Sequence, residues 1–299
     1  MKKFFFVFTM VTFFFGSLVF TSCGGDADTN DSDSTSNEQV GEGPLPGETP
    51  FDFAIVGTDA KAGEYVLAPS YAFIEQAWED VANETTTTFI FYASTLVEAG
   101  DKESKVKEIS DEVMIPNSLI IPLPAGQEAH VGDILLTWWQ SGSGMERAIV
   151  VDDANPKQPT VVYLDASYDE NGEDQEQLKE NSFTLLTKEW EPGTSIAVKG
   201  DYYMEHWQVI RVEGNQVLAK GWAGKMAVLD KANCTAIPVS MDVKVGDVIQ
   251  IPYIGSYQEG TVTKVDNKTG RIWVDTEFAG EITQEVVTQG DITTGLNLD

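Results

Sequence analysis

Gly246-Asp-Val-Ile-Gln-Ile251, then Gly260-Thr-Val-Thr-Lys-Val265, then Asp266-Asn-Lys-Thr-Gly270 leading into Arg271-Ile-Trp-Val-Asp275: this stretch decides the fold. Its runs alternate apolar and polar residues, the period of a sheet with one buried face. Between the last two runs, Asp caps its own turn and Gly supplies a positive φ, so the pair closes as a hairpin. The opening Gly246 fits a tight turn that a side chain would block.

Working outward, the same grammar recurs three times. The openings are Gly63-Glu-Tyr-Val-Leu-Ala68, Gly132-Asp-Ile-Leu-Leu-Thr137 and Gly193-Thr-Ser-Ile-Ala-Val198. Second strands are read at Glu75-Gln-Ala-Trp-Glu-Asp-Val81, Arg147-Ala-Ile-Val-Val151 and Trp207-Gln-Val-Ile-Arg-Val212. Third strands follow at Thr88-Phe-Ile-Phe-Tyr92, Thr160-Val-Val-Tyr-Leu164 and Gln216-Val-Leu-Ala-Lys220. In all four copies the middle of the second strand falls 15 to 17 residues after the glycine. Asp152-Asp-Ala-Asn-Pro156 and Glu213-Gly-Asn215 supply the turns, and Ile121-Pro-Leu-Pro124, Glu191-Pro192 and Ile237-Pro238 mark the connectors, where proline ends a strand. The expectation is an all-β chain of small barrels in tandem. Three copies are clear (125–185, 186–238 and 239–299), and a weaker one (51–124) lies on the N-terminal side, where Glu75–Val81 reads equally as a helical turn.

The layout resembles tandem SH3-like barrels of the Tudor and agenet kind. The match is carried by Gly246-Asp247, Tyr257, Gly260-Thr-Val262-Thr-Lys-Val265 and Ile272-Trp-Val-Asp275, and by Gly132-Asp133, Trp138, Gly144, Ala148-Ile-Val150 and Val161-Val-Tyr163. That resemblance implies five-stranded barrels whose mouth aromatics form a cage or groove for a peptide or a methylated side chain.

Ahead of the repeats, Lys2 and Lys3 precede an almost wholly apolar run from Phe4 to Phe20, which reads as a signal peptide over 1–22. Phe20-Thr-Ser-Cys23-Gly-Gly25 resembles the lipobox of bacterial lipoproteins, which implies a mature N-terminus at Cys23 carrying acyl chains as a membrane anchor. An ordinary secretory peptide with an incidental Cys is the alternative. Residues 23–50 are acidic and rich in Ser, Thr, Asn, Gly and Pro, the composition of a disordered tether. An acidic stretch at this place resembles the export tag of surface-exposed lipoproteins, which implies an outer-membrane lipoprotein facing outward.

A formal net charge of −29, from 48 acidic against 19 basic residues, argues against nucleic acid as a partner. Two Cys and two His are too few for a multi-cysteine zinc site or a disulfide framework, and no cofactor is implied. His130 and His206 stand in no ligand spacing, Cys234 reads as a small buried residue, and Ser141-Gly-Ser143-Gly144 lacks the frame of a nucleophile elbow. Asp165, Ser167, Asp169 and Glu176 have the offsets of calcium-loop ligands, with Glu170 where such a loop turns on Gly; the other reading is a solvated acidic loop.

The aromatics remain. Trp138 and Trp139 are adjacent on a strand and point to opposite faces, so one is expected in a core and one outside. Tyr202, Tyr203, Trp207, Tyr253 and Tyr257 occupy the corresponding region of later copies. They are either core and edge cover or a row for stacking on a glycan or peptide. Two functions follow: a lipid-anchored envelope protein that binds a protein, peptide or glycan without catalysis, or a carbohydrate-active or other hydrolase using paired carboxylates between barrels.

Overall fold

The computed structural model describes residues 44–83, 87–142, 144–278 and 280–298, which lie in one compact unit. Cys23, the leader, the tether as far as residue 43, and Ser143 fall outside them.

Among the described residues the chain is all-β apart from one helix and a few single turns of 3-10 helix. Four groups of strands follow one another. The first is β1 (Tyr65–Pro69), β2 (Phe91–Glu98), β3 (Glu103–Lys107), β4 (Glu112–Pro116) and β5 (Ile121–Pro122), with α1 (Tyr71–Asn83) inserted after β1. The second is β6 (Ile134–Trp138), β7 (Met145–Asp152), β8 (Thr160–Tyr163), β9 (Gln175–Gln177) and β10 (Thr184–Leu185). The third is β11 (Ser195–Lys199), β12 (Met204–Glu213), β13 (Gln216–Lys220), β14 (Met226–Asp230) and β15 (Cys234–Ala236). The fourth is β16 (Val248–Tyr253), β17 (Ser256–Asp266), β18 (Arg271–Phe278) and β19 (Glu281–Thr288), with Thr293 bridging back to Gln250. Each group is the same antiparallel meander of four strands, with a last short segment returning beside the first. Pairing of Glu205 with Ser256 joins the third and fourth groups into one sheet.

The glycine at the head of each copy does the same work four times. Gly63, Gly132, Gly193 and Gly246 have φ of 89°, 93°, 92° and 95°, a region side chains disfavour. Their N–H groups donate to the carbonyls of Leu96, Val150, Val209 and Val262 at 2.8, 3.0, 2.8 and 2.8 Å. In return, the carbonyls of Glu64, Asp133, Thr194 and Asp247, the residues that follow the glycines, accept from the N–H groups of Leu96, Val150, Val209 and Val262. Immediately beyond each of these four residues the second strand slips register in a β-bulge. The polar residue after the glycine closes the turn: Glu64, Asp133 and Asp247 accept from the N–H three residues back, and the Thr194 hydroxyl donates to the Glu191 carbonyl.

The first copy departs from the sequence reading. Glu75–Val81 lies in α1, and the second strand is β2. Phe73, Ile74, Ala77 and Trp78 recur at helical spacing and face the core, so the segment satisfies a helix pattern rather than strand alternation. The chain also packs before residue 51. Gly47 and Thr49 are buried, the Gly47 N–H donates to Glu103, and a Cβ on Gly47 would stand 2.5 Å from that of Lys102. The Gly and Pro that read as tether therefore form a close-fitting turn over residues 44–50.

The copies are not beads on a string. Separate cores fill the second, third and fourth copies, but the largest cluster mixes the first copy with Ile134, Leu136, Trp138 and Ile149 of the second and Ile210 and Leu218 of the third. On β6, Ile134, Leu136 and Trp138 face this shared core while Leu135 faces the second copy's own. That strand is buried on both faces, which is why Ile134-Leu-Leu-Thr-Trp138 is apolar almost throughout. Polar clamps reinforce the contact. Arg211 of β12 donates to the carbonyls of Gly57 and Asn117, and the Phe89 N–H donates to Gly224.

Candidate functional site

Where the second, third and fourth copies meet, a cavity of about 370 Å³ is built on the residues that open β7 (Glu146, Arg147), the end of β13 (Lys220), the turn Trp222–Gly224 and Asp291 beyond β19. Asp291 ties the three copies together. Its carboxylate accepts from the Arg147 guanidinium of the second copy, and from Ser195 Oγ at 2.7 Å and His206 Nε2 at 3.0 Å, both of the third. Burial works against ionisation of Asp291, but Arg147 together with the His206 and Ser195 bonds outweighs it and holds the carboxyl well below its usual range. The Arg147 side chain is almost wholly buried, and its Nε has no partner among the described residues.

Ser195, His206 and Asp291 invite comparison with a nucleophilic triad, and the geometry rejects it. A triad uses one histidine nitrogen for the serine and the other for the carboxylate. Here Nε2 faces both Ser195 Oγ, at 3.1 Å, and Asp291 Oδ1. The serine hydroxyl lies against the carboxylate directly, so no base is set to draw its proton toward the imidazole.

Glu146 is the titrating group of the cavity. Burial pushes its carboxyl up to about 7 against the opposing pull of the Arg147 N–H and charge. A folded value above the ordinary 4.5 means that the folded protein binds the proton more tightly than the unfolded chain. This contribution to stability is complete below pH 4.5 and is lost as pH rises through about 7. Melting temperatures measured across that window should therefore fall more steeply with pH for the wild type than for Glu146→Gln; parallel curves would contradict the burial.

The rim is unusually shaped. Trp222 is 63% exposed and, among the described residues, stacks on no other ring. The residue after it, Ala223, has φ of 56°, and across the rim the β-branched Ile254 has φ of 47°. Each such departure costs on the order of 1–3 kcal/mol and persists only where the surroundings enforce it. They do so here. A Cβ on Gly255 would stand 2.9 Å from that of Trp222, and one on Gly224 would stand 2.7 Å from Thr88 Cγ2. The indole is thus held out from the surface by a turn wedged on both sides.

The residues expected from sequence are spread more widely. Trp138 and Trp139 do point to opposite faces, but neither is free: Trp138 is in the shared core, and Trp139 is half-buried against Tyr163 and Tyr168. Trp207 is buried, donates to Glu205 at 2.9 Å and lies under Lys225. Tyr257 is buried against His206, its hydroxyl without a partner among the described residues, and Tyr253 is half-buried. Tyr202 and Tyr203 are exposed, on the β11–β12 turn beside a second cavity of about 360 Å³. The seven do not form one exposed row: Trp138, Trp207 and Tyr257 are buried in cores, Trp139 and Tyr253 are half-buried, and Tyr202 and Tyr203 alone of the seven are exposed. A groove of about 700 Å³ also runs along α1, lined by Phe73, Tyr92, Trp138 and Lys179.

The loop that begins at Asp165 keeps its carboxylates for itself. Asp165 Oδ1 accepts from the N–H groups of Ser167 and Tyr168 and from the Ser167 hydroxyl, and Asp169 accepts from Gly172, Glu173 and Asp174. Glu176 accepts from the Tyr163 hydroxyl at 2.6 Å. Among the described residues no group of three or more His, Cys, Asp or Glu is placed to hold a metal ion. Nor is the loop merely solvated: fully buried Arg271 of the fourth copy docks on it. His130 is exposed and bonded to Asp153, and Cys234 is half-buried, with burial pushing its thiol up to about 11, which leaves it unreactive.

Sequence reading missed Glu146, Arg147, Lys220, Trp222 and Asp291. One signal was available for Trp222: in Gly221-Trp-Ala-Gly224 a large aromatic sits between glycines, outside any alternating run. No protein-family model matches the chain, and no curated protein matches it.

Proposed function

We propose that the protein is a lipid-anchored envelope protein, built from SH3-like barrels, that binds an envelope or extracellular partner without catalysis. The carrying observation is the cavity shared by three copies, whose reactive groups are bonded to one another rather than presented to a substrate. The barrel reading draws on the four-stranded meander with its returning segment and common bulge, repeated four times. Small sites of this kind, concave and with a few convergent polar groups, suit a ligand better than chemistry that needs a free base.

One observation favours the hydrolase alternative: Glu146 is held near 7 in the same cavity as ionised Asp291, a division of labour seen in acid–base pairs. Against it, Asp291 is saturated by Arg147, Ser195 and His206, and the nearby Asp165 by its own turn, which leaves Glu146 without a second free carboxylate. Full-length protein immobilised in detergent should capture material from an envelope extract and release it chemically unchanged. Recovery of cleaved ligand would establish the hydrolase instead.

The anchor rests on Phe20-Thr-Ser-Cys23. Cys23→Ala should leave the membrane fraction or accumulate as an uncleaved precursor, since stable attachment needs more than one acyl chain or an equivalent second signal. Unchanged processing and membrane retention, read by fractionation and mass of the N-terminal peptide, would remove the lipoprotein assignment.

A further inference from the structure

We infer that the cavity bounded by Trp222, Glu146 and Lys220 is a saccharide site, in which one sugar ring lies on the Trp222 indole and its hydroxyls reach the charged wall. The inference rests on the binding reading above and names the ligand class for it.

A sugar has an apolar face of C–H groups and a rim of hydroxyls that both donate and accept. The cavity offers the complement of each. Trp222 supplies a flat, exposed ring held in place by the strained turn at Ala223 and by the backbone of Gly255. The wall behind it sets the acceptor Glu146 beside donors, the Lys220 ammonium and the Gln208 amide. Glu146 uses one oxygen on the Arg147 N–H at 2.9 Å, and among the described residues its other oxygen has no partner. Almost fully buried Arg147 also lines the cavity with Nε unpartnered.

Other ligand classes meet an obstacle in the same walls. A phosphate or carboxylate would face Glu146 and Asp165 while Arg147 is already bound to Asp291. An apolar ligand would desolvate Lys220 and the carboxylates with nothing in exchange. At about 370 Å³ the space is at the small end of ligand sites, which run roughly 300–1,000 Å³, so it takes a terminal sugar or a short oligosaccharide rather than a folded protein segment.

The test uses the full-length protein in detergent on a printed array covering neutral hexoses, N-acetylhexosamines, uronic acids and deoxysugars, followed by titration calorimetry with the best-bound sugar. Binding should appear on the array, and Trp222→Ala should weaken it at least about tenfold, the loss expected when a central aromatic contact is removed. Trp222→Phe should retain most of it. Because Trp222 is exposed, the Ala variant should melt within a few degrees of wild type; if it does not, Glu146→Gln serves as the second variant and should show a comparable loss. An empty array, or sugar binding indifferent to both substitutions, overturns the site. An empty array together with continued capture of an envelope protein or peptide refutes the saccharide and leaves the binding function standing. Failure of every capture refutes both.

Discussion

Arg271→Met should destabilise the protein by about 3–5 kcal/mol, the range for removing one member of a buried charged network. Arg271 is wholly buried, the largest such side chain among the described residues. Its guanidinium makes four hydrogen bonds to three backbone carbonyls: Nη2 to Tyr163 at 2.8 Å and Asp169 at 2.9 Å, Nη1 to Thr269 at 2.9 Å, and Nε again to Asp169 at 3.2 Å. Tyr163 and Asp169 belong to the second copy and Thr269 to the fourth, so this one side chain fastens two copies across the loop that begins at Asp165. Met fills a similar volume, so cavity formation contributes little. The cost comes from carbonyls left in the interior without donors, where each unsatisfied group costs about 1–3 kcal/mol. Gly172 fits the same joint, with φ of 69° and no room for a Cβ, which would stand 2.7 Å from that of Thr269. Urea unfolding of the Met variant should show a lower midpoint, and limited proteolysis should open a new cut between residues 165 and 174. A loss below about 1 kcal/mol with the loop still protected would show that apolar packing alone holds the copies together.

That joint marks the boundary of what the sequence discloses. The four opening turns are legible because their chemistry is local: a positive φ needs glycine, and the next residue must accept or donate a bond within three positions. The order of strands within a copy follows from short hairpins whose turns carry Gly, Asn and Asp. Contacts between copies have no such local signature. Arg147 and Asp291 are 144 residues apart, and nothing around Gln289-Gly-Asp291 distinguishes it from any other polar turn. The acidic loop misleads for the same reason. Its carboxylates have ligand-like offsets, yet they are consumed by backbone N–H groups, and the cation that docks on it comes from Arg271, about a hundred positions downstream. In the first copy, α1 interrupts the repeat after β1, so offsets counted along the chain slide past the true second strand. Trp222 escapes because it stands in the turn Gly221-Trp-Ala-Gly224, outside any alternating run.

The paired tryptophans separate local from inter-copy packing by experiment. Trp138→Ala should cost about 3–5 kcal/mol, as for truncation of a core aromatic. The ring is 6% exposed, tilts against Tyr65 of the first copy at 5.2 Å between centroids, and sits in the core that the first three copies share. Its loss therefore opens a void where sheets from different copies meet, and neither sheet can close it without moving the other. Trp139→Ala should cost less, about 1–2 kcal/mol, because that ring is half-buried and the rings it packs on, Tyr163 at 5.4 Å and Tyr168 at 4.1 Å, belong to its own copy. A sharper contrast comes from Phe at the same place. The Trp139 Nε1 is buried without a partner among the described residues, a donor whose desolvation costs about 1–3 kcal/mol. Trp139→Phe removes that donor along with some packing area, so the two changes oppose each other and the variant should unfold within about half a kcal/mol of wild type. Trp138→Phe has no such compensation and should lose stability through the smaller ring alone. Urea midpoints for the four variants decide the matter. Equal losses for both Ala changes would place Trp139 in a contact between copies as well, whereas a neutral Trp138→Ala would mean that the first copy does not depend on the second for its core.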